Sequence, residues 1–314
     1  MKMRKFNLKG TVVQRMRGIP KEEPKPKETE NPASRAEPLY CAGFTEKQGL
    51  IQYAWRTDTG RVRRNNQDAV ILGNGLAGIA DGMGGHSGGE IASAGLRDGL
   101  LKEIRDCEPD SMKLEDAIRK VNLELWEQQE HDASLTGMGT TLTAVWPAAE
   151  EMIIAQVGDS RAYLYREGEL IQVTEDHSMV ADMVRKGVLT EEQAACHPMR
   201  NYITRAVGTD DTVEPDIMRH DRRQGDIWLI CSDGLHGMVS KSAICGMIRP
   251  DDLEDTAEKL MKAALENGGK DNISFVILRD DTEQATRDEE DDTTGDKAET
   301  PADEADNAEE VSGR

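Results

Sequence analysis

Short apolar runs bounded by turn residues punctuate the middle of the chain, at 50–55, 69–72, 76–80, 141–146, 152–157 and 227–231. Runs of this kind, closed off by Gly, Asn and Asp, predict strands. Two further runs, 161–165 and 169–173, flank Glu167-Gly168 and predict a hairpin. Elsewhere the period lengthens. Leu114, Ile118, Val121 and Leu125 recur at helical spacing behind the candidate caps Asp110 and Ser111, and 89–104 and 253–265 fit amphipathic helices as well. The strands gather before and after paired helices and do not alternate strictly with them, which predicts an α+β fold over a doubly wound parallel sheet. No internal repeat is visible.

The two ends read differently. Residues 1–48 mix Lys and Arg with a Pro/Glu/Lys tract and show no sustained hydrophobic period, so a mobile leader is expected there. From Asp280 on, fifteen acids face three bases, and 281–314 are expected to form a disordered acidic tail. That leaves 49–280 for one folded domain. The whole chain has 314 residues and a formal net charge of -21. Such a surface repels nucleic acid and anionic lipid, so neither is an expected partner. No apolar run approaches the ~18 residues needed to cross a bilayer, and residues 1–10 lack a signal-peptide core. A cytoplasmic monomer is expected. Cys41, Cys107, Cys196, Cys231 and Cys245 form no CxxC pair, which argues against a zinc ribbon or disulfide framework and for reduced, mostly buried thiols.

Candidate chemistry lies in four aspartates at the ends of predicted strands: Asp81, Asp159, Asp233 and Asp271, each beside glycine or another small residue. A single Asp-Gly pair is usually a turn. Four in matching positions suit a hard divalent cation, which takes several oxygen ligands and needs room for backbone carbonyls and waters. With no paired His or Cys in ligand spacing and no HExxH, oxygen ligation points to Mg or Mn ahead of zinc.

The blocks Thr57-Asp58-Thr59-Gly60-Arg61-Val62-Arg63-Arg64-Asn65-Asn66-Gln67-Asp68, Asp81-Gly82-Met83-Gly84-Gly85-His86, Met138-Gly139-Thr140-Thr141, Val157-Gly158-Asp159-Ser160-Arg161, Ser232-Asp233-Gly234 and Asp271-Asn272 stand in a telling order. Over residues 51–278 the chain resembles the metal-dependent (PPM, type 2C) serine/threonine protein phosphatases, and Asp-Gly-Met-Gly-Gly-His resembles their bacterial branch. The resemblance implies a central antiparallel β-sandwich flanked by helix pairs on both faces, with a flap at about 178–204. It implies hydrolysis of phosphoserine and phosphothreonine on proteins, opposing a bacterial Ser/Thr kinase. Asp81 would bridge two Mn2+ or Mg2+ ions, Asp233 and Asp271 would complete the first site, and the Gly82 carbonyl and Asp68 would serve the second. Asp159 would join Asp233 at a third, weaker site, or else be a structural turn residue. Arg63 would hold the substrate phosphate, with Arg61 expected on the same strand face as its confusable neighbour. Arg63, Asp81 and Asp233 are thus the expected catalytic residues.

Two positions depart from the family pattern. Gln67 replaces a glutamate common among relatives, which weakens attraction for the second ion. Met83 stands where eukaryotic relatives carry a histidine, and a thioether cannot protonate a leaving alcohol. His86 and His177 read as turn histidines held by backbone hydrogen bonds. Cysteine-based phosphatases need Arg six residues after Cys, and none of the five cysteines has it. Nor does Gly268-Gly269-Lys270-Asp271 complete a P-loop. Two rivals share the fold: a phosphoprotein-binding pseudophosphatase, weakened by retention of Asp81, Asp233 and Asp271, and a regulatory phosphatase with one dedicated partner.

Overall fold

A computed structural model describes residues 13–14, 41–48, 51–85 and 88–281, with backbone alone for the first two stretches. His86 falls outside the described residues.

Two antiparallel sheets carry the fold. The first runs β10 (Glu169–Gln172), β9 (Arg161–Arg166), β13 (Ile227–Cys231), β14 (Ile273–Asp280), β3 (Ile51–Asp58) and β2 (Cys41–Gln48). The second runs β12 (Asp216–Asp221), β8 (Glu151–Val157), β7 (Leu142–Pro147), β5 (Leu76–Met83) and β4 (Asp68–Gly73), with the short β6 (Gly139–Thr140) paired to the end of β5. A small separate ladder joins β1 (Val13–Gln14) to β11 (Tyr202–Ile203).

The continuous apolar runs have a simple cause: each central strand is covered on both faces. Along β13, Trp228 and Ile230 point into the space between the sheets, where they meet Ile79 and Ala77 of β5, Ile154 of β8 and Val276 of β14. Their neighbours Ile227, Leu229 and Cys231 point outward into a second cluster with Leu253, Ala257, Leu260 and Ala264. Those four belong to α7 (Leu253–Glu266), which Asp252 caps by accepting from the Asp255 amide at 2.9 Å. On the opposite outer face, Ile153, Ala155 and Val157 of β8 lie under α1 (Gly88–Glu103) and α2 (Ser111–His131). Asp110 caps α2 as its sequence predicts. The layers are therefore helix, sheet, sheet, helix, the expected α+β sandwich.

Several elements escape the apolar pattern. The edge strand β12 reads Asp-Ile-Met-Arg-His-Asp, with little to mark it as a strand, and its ladder to β8 supplies what its side chains do not. The short helices α5 (Asp233–His236) and α6 (Lys241–Met247) also go unread, being too brief for periodicity. The stretch 178–204 contains α3 (Met179–Arg185) and α4 (Glu191–Ala195), capped by Ser178 and Thr190. Its two ends meet: Ser178 bridges Ile203, and the Thr204 amide donates to the His177 carbonyl at 2.8 Å. Of the four described cysteines only Cys231 is buried, while Cys196 is exposed and Cys107 and Cys245 are half-buried, so the expectation of mostly buried thiols fails. Burial pushes the Cys231 thiol up to about 12, which leaves it an inert hydrophobe at neutral pH.

Candidate metal centre

The segments that carry the predicted aspartates meet where strands of both sheets end. Asp81 lies within β5, not beyond it as the sequence suggested, because β6 and the Thr141 backbone continue the pairing past the apolar run. The Asp81 amide donates to Thr141 Oγ1 at 3.0 Å, the Thr141 amide donates back to the Asp81 carbonyl at 2.9 Å, and Thr141 Oγ1 lies 2.8 Å from Ser160 Oγ. Thr141 and Ser160 thus support the site by local hydrogen bonding. Directly across the β4–β5 ladder from Asp81 stands Asp68. Two carboxylates in one cross-strand pair repel each other, and Asp81 is only 2% exposed.

Beside them, β13 gives way to the single turn α5. Ser232 Oγ donates to Asp68 Oδ2 at 2.9 Å, and the Ser274 amide donates to Ser232 Oγ at 3.1 Å. Asp233 follows Ser232 directly and is buried. Gly234 lets this turn lie against the next loop, since a Cβ there would sit 1.8 Å from the Asn272 carbonyl oxygen. Gly82 is equally confined: its amide donates to the Gln67 carbonyl at 3.0 Å, and a Cβ would come within 2.0 Å of the Gly89 carbonyl oxygen. The sequence correctly prizes these glycines, and close backbone approach is the reason.

Asn272 holds the frame together, a role that the sequence does not reveal. Its Nδ2 donates to the Thr59 and Asn65 carbonyls at 2.9 and 3.0 Å, and its Oδ1 accepts from the Gln67 amide at 2.9 Å. These bonds shape 59–67 into a loop between β3 and β4. The expectation that Arg61 and Arg63 share a strand face is therefore wrong; neither lies on a strand. The Arg61 amide donates to the Gly269 carbonyl at 2.7 Å. The Arg63 guanidinium forks onto Asp271, with Nε 2.8 Å from Oδ1 and Nη2 2.9 Å from Oδ2.

Asp159, 6% exposed, occupies the turn between β8 and β9. His236 of α5 reaches its carbonyl, Nε2 to oxygen 3.0 Å, which joins this turn to the Asp233 turn. The adjacent Gly158 exchanges bonds with His177: the His177 amide donates to the Gly158 carbonyl at 2.8 Å, and the Gly158 amide donates to His177 Nδ1 at 3.2 Å. His177 is thus the backbone-bonded turn histidine expected. Burial lowers its pKa, against the opposing pull of Asp216, whose Oδ2 lies 3.0 Å from Nε2. Met83 is buried in an apolar cluster with Ile203 and Ala206.

The donor set fits hard cations. Asp68, Asp81, Asp159, Asp233 and Asp271 supply oxygen alone, the two nearby imidazoles already bond to backbone, and four of the five carboxylates are 8% exposed or less. Buried carboxylates at such density are costly without positive charge to offset them. Among the described residues no three Asp, Glu, His or Cys groups stand close enough to enclose an ion directly. The Arg63 fork already engages both oxygens of Asp271, and ions of this class commonly retain several waters between themselves and the protein.

Comparison with known proteins agrees with this geometry. Residues 60–274 match the protein phosphatase 2C family. The chain is 42% identical over 231 residues to the serine/threonine protein phosphatase PstP of Mycobacterium tuberculosis, covering 73% of this chain and 45% of that protein. It thus spans less than half the length of that relative. The serine/threonine phosphatase stp of Listeria monocytogenes is 36% identical over 246 residues, covering 74% of this chain and 98% of the relative. A crystal structure of the mycobacterial PstP superposes with a TM-score of 0.70 at 40% identity, covering 74% of this chain and 99% of that one. The PstP catalytic domain in complex with two manganese ions gives 0.67 at 39% identity, covering 73% and 97%. Fold and sequence agree: the chain belongs to the bacterial branch of the metal-dependent protein phosphatase 2C (PPM) family.

Proposed function

We propose that this chain hydrolyses phosphoserine and phosphothreonine on proteins, through a site built from Asp68, Asp81, Gly82, Asp233 and Asp271 and served by Arg63. The cross-strand pair Asp68 and Asp81, tied through Ser232 to the Asp233 turn, is the observation that carries this reading. Asp81, Asp233 and Asp271 would hold one Mn2+ or Mg2+ ion, and Asp81, Asp68 and the Gly82 carbonyl a second. When bound, the ion pair supplies an acidified water as nucleophile and draws off charge on the phosphoryl oxygens. Arg63 presents a planar fork suited to two phosphate oxygens and orients the group for in-line attack. Asp159, coupled to α5 through His236, would add to a third, weaker site with Asp233.

The active unit is proposed as 49–280, with 178–204 as a flap over the substrate and β2 added at the sheet edge. The names of the relatives support phosphoproteins as substrates. A Ser/Thr kinase as counterpart, a monomeric state and a cytoplasmic place belong to the same reading; no described helix is long and apolar enough to cross a membrane. A binding-only pseudophosphatase is disfavoured by the full set of aspartates. Hydrolysis of p-nitrophenyl phosphate and of a phosphothreonine peptide is expected with Mn2+, and is expected to vanish with chelator and in Asp233→Asn. Activity that survives both losses would require another enzyme class.

A further inference from the structure

Asp271 serves two masters. Its Oδ1 accepts from Arg63 Nε at 2.8 Å and from the Asn272 amide at 2.9 Å, while its Oδ2 accepts from Arg63 Nη2 at 2.9 Å. An ionised carboxylate offers about four in-plane acceptor positions. Three are taken, which leaves at most one for a cation, and a cation approaching that position meets the like charge of the guanidinium. The pair is also sheltered, with side-chain exposures of 25% for Arg63 and 5% for Asp271, so solvent screens it less than an ordinary surface ion pair.

From this geometry we propose that Arg63 and the first cation share Asp271 by turns: the guanidinium neutralises the carboxylate before a cation binds, and cation binding releases the guanidinium to the substrate phosphate. The inference rests on the phosphatase reading and adds an order of binding to it. The frame makes the exchange a side-chain movement only. Asn272, next to Asp271, bonds to Thr59, Asn65 and Gln67 on either side of Arg63, so both partners start from one rigid support. Phosphate capture without a bound cation is then suppressed twice, by the clustered acidic charge of the site and by an arginine already engaged.

The Arg63 Nε–H resonance of the full chain, followed by 15N NMR and assigned by its loss in Arg63→Lys, reads the exchange without turnover. In chelator it is expected at a hydrogen-bonded position. Saturating Mg2+, which is diamagnetic, should carry it toward its position in cation-free Asp271→Asn, and inorganic phosphate should shift it again only when Mg2+ is present. A resonance that stays in place on Mg2+ saturation overturns the proposal. Arg63→Ala gives an independent reading: free Mn2+ counted by electron paramagnetic resonance should show tightest-site affinity several-fold stronger than in the unmodified chain. Equal or weaker affinity overturns the proposal too. Hydrolysis of p-nitrophenyl phosphate by the unmodified chain with Mn2+ tests the phosphatase reading separately, so activity with an unmoved resonance sinks the exchange alone.

Discussion

Met83 shares a buried apolar cluster with Ile203, although the two come from the end of β5 that carries Asp81 and Gly82 and from the closing end of the 178–204 segment. With 4% exposure, Met83 is a packing residue at the position where the family resemblance leads one to expect a histidine in eukaryotic relatives. Met83→His is therefore expected to reduce activity and stability instead of adding general-acid catalysis, since the ring would be desolvated among Ile203 and Ala206. Met83→Leu should keep both, and Met83→Ala should lose about 2–3 kcal/mol. A Met83→His variant with raised kcat and a new acidic limb in its pH profile would contradict this.

On the proposed cation binding, Asp68 and Asp81 should make stability depend on cations. In chelator, Asp81→Asn is expected to raise the free energy of unfolding slightly, by roughly 0.2–1 kcal/mol, because it removes one of two facing like charges. With Mn2+ the order reverses: the unmodified chain gains stability from binding and the variant does not. Activity should fall by about 100-fold or more. Thermal unfolding of both proteins with and without Mn2+ decides it, and a variant that is less stable in chelator would count against the repulsion.

Asn272→Ala removes three side-chain hydrogen bonds from the loop that carries Arg63. At about 1 kcal/mol for each bond, and more where a buried partner is left unsatisfied, the loss should come to about 3 kcal/mol. KM for a phosphopeptide should rise more than kcat falls, since Arg63 loses its support while the aspartates remain. An unchanged KM would show that Arg63 is placed by other contacts.

His177 predicts a pH slope. Burial holds its folded pKa below the ordinary 6.5, so the unfolded chain takes up a proton that the folded chain refuses. Stability from this group is complete above about 6.5, declines as pH falls below it, and levels off once the folded pKa is passed. Protonation would also cost the bond that Nδ1 accepts from Gly158. Urea titrations between pH 5 and 8 should show the decline in the unmodified chain and a shallower one in His177→Asn; identical slopes would assign the dependence elsewhere.

The strands and the α+β class were legible because strands covered on both faces, such as β13, leave unbroken apolar runs, and because α2 announces its cap; the sandwich itself was implied by the family resemblance. β12 was not, since an edge strand with polar side chains owes its conformation to the β8 ladder alone. At the site, aspartates beside small residues at the ends of predicted strands, together with the family resemblance, led to Asp81, Asp233 and Asp271, and the structure brings their segments together. What the spacing could not convey was the loop between β3 and β4: Arg61 and Arg63 were read as strand neighbours because nothing local reveals Asn272, some two hundred residues away in sequence, as the group that bends it. The Asp68–Asp81 pairing was likewise hidden, because register is a property of two strands and not of either alone.

The position of β14 sets a timetable for the newborn polypeptide. Among the described strands this one is synthesised last, yet it lies in the interior of its sheet, hydrogen-bonded to β13 on one side and β3 on the other. Until it emerges from the ribosome, β3 and β13 lack the strand that lies between them, and the 59–67 loop lacks the Asn272 side chain that fastens it. A nascent chain halted before residue 273 therefore holds its early hydrophobic segments waiting, and hydrolytic competence should switch on in a single late step instead of accumulating as translation proceeds.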